Sequence, residues 1–253
     1  MTDSRTLAYI NLYGILGTLE NLCELDENAR EIAKTKKPIT IGFNVKGGPK
    51  ATLTFKNGRC RMEDGLGKKC DIMLPFSSCE KFNGMIDGTV TPLPSKGYLH
   101  IGFLLKKFTA LTDILTKYLR ASEEDLKDPK FFETSTTLMM YLIGVAIAQI
   151  GNQDEIGKFS AHLIPDGVVK LGIKNGPGAA IIVENHHLIT VKKNPEKYRA
   201  IMEFCDIKLA RDLFDGKVNA VACIGEGKIV MGGMINMIDN INRILDRVSL
   251  YLA

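Results

Sequence analysis

Slid against itself by 128 positions, the 253-residue chain aligns residues 45–90 with 173–218 without a gap. Ten of those 46 pairs are identical: Lys46/Lys174, Gly48/Gly176, Pro49/Pro177, Ala51/Ala179, Asn57/Asn185, Lys69/Lys197, Phe76/Phe204, Asp87/Asp215, Gly88/Gly216 and Val90/Val218. Random pairing at average residue frequencies would give roughly three. A period this long marks duplicated domains rather than a solenoid. A shift of two then continues the match, setting Gly97, Gly102, Ile114 and Leu115 against Gly227, Gly232, Ile244 and Leu245, and Tyr13 over Tyr141 extends it to the N-terminal helices. The polar run 121–130 (ASEEDLKDPK), with its Pro129, separates the copies. The modules are therefore expected at 1–124 and 125–253.

Each copy reads the same way. An apolar helix comes first, at 5–23 and 135–150. Ile39, Ile41, Phe43 and Val45, like Val169, Leu171 and Ile173, then alternate with the period of a strand buried on one face. A hairpin follows. Asn57-Gly58 supplies the two positive-φ residues of a type I′ turn, which pairs Phe55 with Cys60 and Leu53 with Met62 and leaves Thr52, Thr54, Lys56, Arg59 and Arg61 on a wet outer face. The second copy turns at Asn185-His186, and Ile182 and Ile189 occupy the places of Thr54 and Arg61. Such β-branched residues call for cover, so contact with the other module or with a second chain is expected through Ile182 and Ile189. A fourth strand, a short helix capped by Ser78 or Asp206 and ended near Gly88 or Gly216, a fifth extended segment and an amphipathic helix complete each copy.

Composition excludes several functions. Lys and Arg occur in scattered pairs and form no basic stripe interleaved with aromatics, so a net charge of +4 does not point to nucleic acid. The start Met1-Thr2-Asp3-Ser4 lacks a basic and then apolar leader, so a cytoplasmic location is expected. The most apolar run, 138–150, is shorter than the roughly 20 residues of a membrane span and reads as a buried helix. Six cysteines without C-x-x-C spacing read as reduced core thiols, although Cys79 and Cys205 lie near helix starts, where a thiolate is favoured. His186-His187 is the only adjacent pair of metal-ligand type; its hairpin tip reads as a solvated turn, and His100 and His162 stand alone in the sequence. No nucleophile elbow, phosphate loop, dinucleotide fingerprint or zinc helix is present. Neither a catalytic residue, a metal nor a cofactor is expected.

Two phrases, CDIMLPFSSCEKFNGMIDG at 70–88 and RAIMEFCDIKLARDLFDGKVNAV at 199–221, together with GYLHIGF at 97–103 and GKIVMGGM at 227–234, resemble the sterol-carrier-protein family. That resemblance covers nearly the whole chain in two passes. It implies an α+β fold of two tandem modules, each a mostly antiparallel five-stranded sheet covered by helices on one face. The chain departs from the family in consisting of two copies and in ending Tyr251-Leu252-Ala253 rather than in a peroxisomal Ser-Lys-Leu.

The function implied is non-catalytic binding, with transfer as an extension, of a long apolar ligand such as a fatty acid or acyl-CoA, between sheet and C-terminal helix. Transient contact with a membrane surface is compatible with it. The expected lining in the first module is Leu74, Phe76, Phe82, Ile86, Phe103, Leu104, Phe108 and Leu111. In the second it is Met202, Phe204, Leu213, Phe214, Met231, Met234, Met237 and Ile241. Methionine suits an adaptable pocket, yet the same residues fill ordinary cores. The residues alone leave open a solid-core pseudo-dimeric scaffold, or an accessory substrate-holding part of an acyl-processing enzyme.

Overall fold

In the computed structural model, which describes residues 2–252, the chain forms two compact units, one up to Lys127 and one from Asp128. In the first unit, α1 (Ser4–Tyr9) runs through a π-helical stretch (Ile10–Ile15) and a 3-10 turn (Leu16–Thr18) into α2 (Leu19–Leu25), and α3 (Glu27–Ile32) follows. Strands β1 (Ile39–Val45), β2 (Lys50–Lys56), β3 (Arg59–Asp64) and β4 (Ile72–Phe76) order as β3-β2-β1-β4. Only the β1–β4 pair is parallel. Then come α4 (Cys79–Ile86), a helical run from Tyr98, and α5 (Thr109–Leu119).

The second unit opens on one continuous helix, α6 (Pro129–Gln153), whose N-terminus is capped by the Asp128 carboxylate and started by proline. At 25 residues it is longer than the sequence pattern indicates and could by length cross a membrane, but its apolar residues from Leu138 to Ile150 are mostly buried inside the unit. After α7 (Glu155–His162), strands β5 (Gly167–Ile173), β6 (Gly178–Glu184), β7 (His187–Val191), β8 (Ala200–Phe204) and β9 (Ile229–Gly233) order as β7-β6-β5-β8-β9. Helices α8 (Ile207–Phe214) and α9 (Ala220–Gly225) lie between β8 and β9, and α10 (Ile235–Leu252) ends the unit.

Bounds of β1, β2, β4 and α4 recur in β5, β6, β8 and α8 at an offset of 128. Ladder registers recur with them, as in Ile41↔Ile72 and Val169↔Ala200. Both hairpins close as the turn residues dictate: Phe55 faces Cys60, Ile182 faces Ile189, and positive φ falls on Asn57, Gly58, Asn185 and His186. Ile182 is half-buried and Ile189 is 42% exposed.

Two expectations change. Thr52 is buried, because the loop after β3 folds back over it; its hydroxyl donates to the Gly65 carbonyl and accepts from the Gly67 N–H. The fifth strand exists only in the second unit. In the first it shrinks to one bridge, Met73↔Lys96, the counterpart of Ile201↔Gly232 in β9. Gly97 and Gly233 fix this equivalence. Both take positive φ, and a Cβ on either would lie 2.2 or 2.1 Å from the carbonyl oxygen of Asp71 or Arg199, which are themselves equivalent. The offset has therefore grown to 136, not the 130 that sequence alignment gives, and the extra residues of the second copy build α9 and most of β9. In the first copy the chain turns helical directly after Gly97, through a 3-10 turn (Tyr98–His100) and a π-helical stretch (Phe103–Phe108), so no residues remain to extend a strand.

Candidate functional site

Under the first sheet the expected lining residues meet, but they fill the space themselves. Leu74, Phe82 and Leu111 are fully buried and Phe76, Phe103, Leu104 and Phe108 nearly so; Ile86 is half-buried. Their rings interlock with the strand residues Phe43 and Phe55: Phe76 meets Phe82 at 5.1 Å and Phe55 meets Phe103 at 5.2 Å, while Phe43 touches both Phe82 and Phe108. Edge-on and tilted contacts at such spacings are those of a close-packed aromatic core.

The second unit thins this layer. At the positions of Phe43, Phe55 and Phe82 it carries Leu171, Val183 and Ala210, and Met202 replaces Leu74. Met202 lies directly opposite Met231 in the β8–β9 ladder, which puts both side chains on one face. Phe214 from α8 packs edge-on against Phe204 at 6.0 Å. Met237 and Ile241 present the buried stripe of α10, and the Met237 methyl lies near Gly167 at the start of β5. Met202, Phe204, Met237 and Ile241 are buried, whereas Leu213, Phe214, Met231 and Met234 are half-exposed. The arrangement is a buried apolar floor with a soft, partly open apolar margin.

A contact unforeseen in the sequence holds the closing helix in each unit. Asp154, the N-cap of α7, accepts hydrogen bonds from the Arg247 guanidinium at 2.6 Å and the Tyr251 hydroxyl at 2.7 Å, both on α10. Burial pushes the Asp154 carboxyl up, but the hydrogen bonds from Arg247, Tyr251 and the Gly157 N–H outweigh it and hold the group below its ordinary value. In the first unit the equivalent Asp26 caps α3 and accepts from the Tyr118 hydroxyl on α5 at 2.7 Å. Nothing local signals this pairing, since partners are 92 to 97 residues apart.

Three thiols are shifted away from the thiolate form. Burial pushes Cys23 up to about 12. Cys79 is also raised, by burial and then by the Glu80 carboxylate; so is Cys205, by burial and by its hydrogen bond to Asp206. Cys205 is exposed, unlike the five buried cysteines. His162 is not isolated in space: its ring stacks on His186 at 4.7 Å, which ties the tip of the β6–β7 hairpin to α7. Among the described residues no group of three or more His, Cys, Asp or Glu side chains is placed to hold a metal.

Solved structures similar to this chain include sterol carrier proteins. The sterol carrier protein domain 2 of Helicoverpa armigera matches over 44% of this chain and 85% of its own, at 16% identity and a TM-score of 0.34. Sterol carrier protein 2 of Yarrowia lipolytica, in its apo form, matches over 40% and 92%, at 18% identity and 0.30. A further sterol carrier protein 2 matches over 44% and 92%, at 11% identity and 0.34. The chain resembles sterol carrier protein domains. No family model matches it, and no curated protein matches it in sequence. In this chain the second sheet has five strands and the first has four.

Proposed function

We propose that the chain is a non-catalytic binding protein for a long apolar ligand, held in the second module between β8, β9 and α10. One observation carries the reading. Where the first module packs Phe43, Phe55 and Phe82 into a closed layer, the second has the smaller Leu171, Val183 and Ala210 beneath a half-exposed margin of Leu213, Phe214, Met231 and Met234. Methionine side chains are unbranched and polarizable, so they repack around an alkyl chain at little cost. Affinity would come from apolar area removed from water, at roughly 25 cal/mol per Å² less the ordering terms. The family resemblance of the 199–221 phrase supports the same ligand class. A fatty acid or acyl-CoA fits this chemistry.

Native mass spectrometry of the purified chain, followed by titration with a fluorescent fatty acid, tests the proposal. Retained or acquired lipid is expected, with uptake roughly tenfold weaker or worse in M231D/M234D, because a carboxylate in an apolar site must stay neutral or admit water. A clean apo mass with no uptake would favour the solid-core scaffold. Equal uptake by the folded double variant would remove the second module as the site. The Ile182–Ile189 pair is proposed to pack against a second copy of the chain; sedimentation equilibrium giving the mass of one chain would end that part, and I189K is expected to dissociate a dimer.

A further inference from the structure

At the end of the first sheet where β1 and β4 finish, beside the Phe76 ring of its aromatic core, lies a cavity of about 720 Å³. It is bounded by Asn44 of β1, the β1–β2 turn with Lys50 of β2, the end of β4, the start of α4 and the segment after α4 that crosses back toward β4. Its chemistry is divided. Lys46, Lys50 and Lys81 supply three ammonium groups, whereas Val90, Pro92 and Leu93 supply an apolar side. Asn44 and Ser77 add neutral polar groups, and no carboxylate lines the cavity. All three lysines are exposed, and among the described residues none of their ammonium groups is paired with an acid. Leu93 is 78% exposed in the same segment, a large apolar side chain left in water beside them.

Comparison with the second copy separates what the fold needs from what this cavity has. The same strands and helix form there with Gly178 in place of Lys50, Leu209 in place of Lys81 and Gly172 in place of Asn44; only Lys174 keeps a charge, at the position of Lys46. The equivalent region is also filled. Asn194 lies over Gly172 and Gly178, so close that a Cβ on Gly178 would fall 2.2 Å from its Oδ1, and its Nδ2 donates to the Gly176 carbonyl at 2.9 Å. Beside it Lys170 pairs with Glu203 at 2.6 Å, at positions the first copy gives to Gly42 and Pro75. One copy thus closes and neutralises this region, while the other keeps it open and cationic. Three like charges around one concavity repel each other, an arrangement relieved by an anion.

We infer that this cavity is a second ligand site, for a small molecule that carries a phosphate group on an apolar body. The ammonium groups of Lys46, Lys50 and Lys81 surround the phosphate as point-charge donors, and the apolar part lies along Val90, Pro92 and Leu93. The site does not depend on the second-module ligand proposed above, because every lining residue belongs to the first module.

Calorimetric titration of the full chain with octyl phosphate below its micelle concentration tests the assignment, with inorganic pyrophosphate as the anion without an apolar body. Saturable one-to-one binding is expected, weakened roughly tenfold or more in K46A/K50A/K81A. It should be unchanged in K36A/K37A/K106A, which removes the same charge from exposed lysines elsewhere, and in M231D/M234D, which alters only the other site. Leu93→Ser should weaken octyl phosphate and leave pyrophosphate unaffected. No saturation in the wild type, an equal loss in the two lysine triples, or undiminished binding by K46A/K50A/K81A would overturn the site. Equal affinity for octyl phosphate and pyrophosphate would overturn the apolar half of the assignment. Octyl phosphate binding lost only in M231D/M234D would place the ligand in the second module instead.

Discussion

Two copies of one fold have spent their aromatic residues differently. The first module locks β1, β2, α4 and the helical run before α5 together with Phe43, Phe55, Phe82, Phe103 and Phe108. The second replaces three of these positions with Leu171, Val183 and Ala210 and relies on a long continuous helix, α6, and on an ion-paired tether. The difference shows that backbone register constrains a duplicated domain more tightly than core composition does. Pairing among β1, β2 and β4 recurs residue for residue among β5, β6 and β8, whereas volume at a given core position is free to move from one side chain to another as long as the layer fills. In the same way α4 and α8 are tied to their N-terminal helices at equivalent positions by unlike groups. Asn83 exchanges hydrogen bonds with Asn11 and the Ser4 carbonyl, and the buried Arg211 reaches Ser135 while paired with Asp215.

The sharpest break in this comparison concerns the paired N-caps. Asp154→Ala leaves the half-buried Arg247 guanidinium without its acid and α7 without its cap, and urea unfolding followed by hydrogen exchange should show the second module losing about 2–4 kcal/mol. Asp26→Ala removes a cap and one tyrosine hydrogen bond, so the first module should lose only about 1–2 kcal/mol. Equal losses would mean that the guanidinium adds nothing to the tether.

Acid should act on the same contact. Because the folded Asp154 carboxyl lies below its ordinary value of 3.8, its stabilisation is fully present above that value and is lost as pH falls through the lower folded value. An acid titration monitored by hydrogen exchange in α7 and α10 is therefore expected to show them opening below pH ~4 in the wild type, with no such step in Asp154→Ala.

Smallest of all is the effect at the hairpin tips. Gly58 takes φ +77°, and a Cβ there would meet the Arg30 carbonyl at 2.9 Å, so Gly58→Ala should cost about 1–2 kcal/mol in thermal unfolding. His186 holds the equivalent place at φ +64° and is steadied by its stack on His162. His186→Gly relieves the strain but loses the stack and adds unfolded-state entropy, so its change should stay within about 0.5 kcal/mol. A large destabilisation would show that the histidine stack, not the turn, holds that hairpin to α7.

Sequence alone determined what short-range chemistry encodes. Period-two alternation marked β1 and β5, Asn57-Gly58 and Asn185-His186 set the hairpin registers, and Ser78 and Asp206 began α4 and α8 where the caps form. Each signal acts within a few residues, so a linear reading reaches it. Tertiary structure decided the rest. The fate of the fifth strand depended on whether Gly227 or Gly233 was the partner of Gly97, and only the approach of both Gly97 and Gly233 to equivalent carbonyls fixes that. The offset then falls from 136 at these glycines to 133 at Tyr118 and Tyr251, as the 3-10 and π-helical turns after Gly97 take up residues that α10 does not contain. Likewise the closure of one apolar layer, the softness of the other and the charge-lined cavity at the end of the first sheet arise from side chains distant in sequence. Packing density and unpaired charge are properties of a filled volume, and no local pattern in the chain encodes how that volume fills.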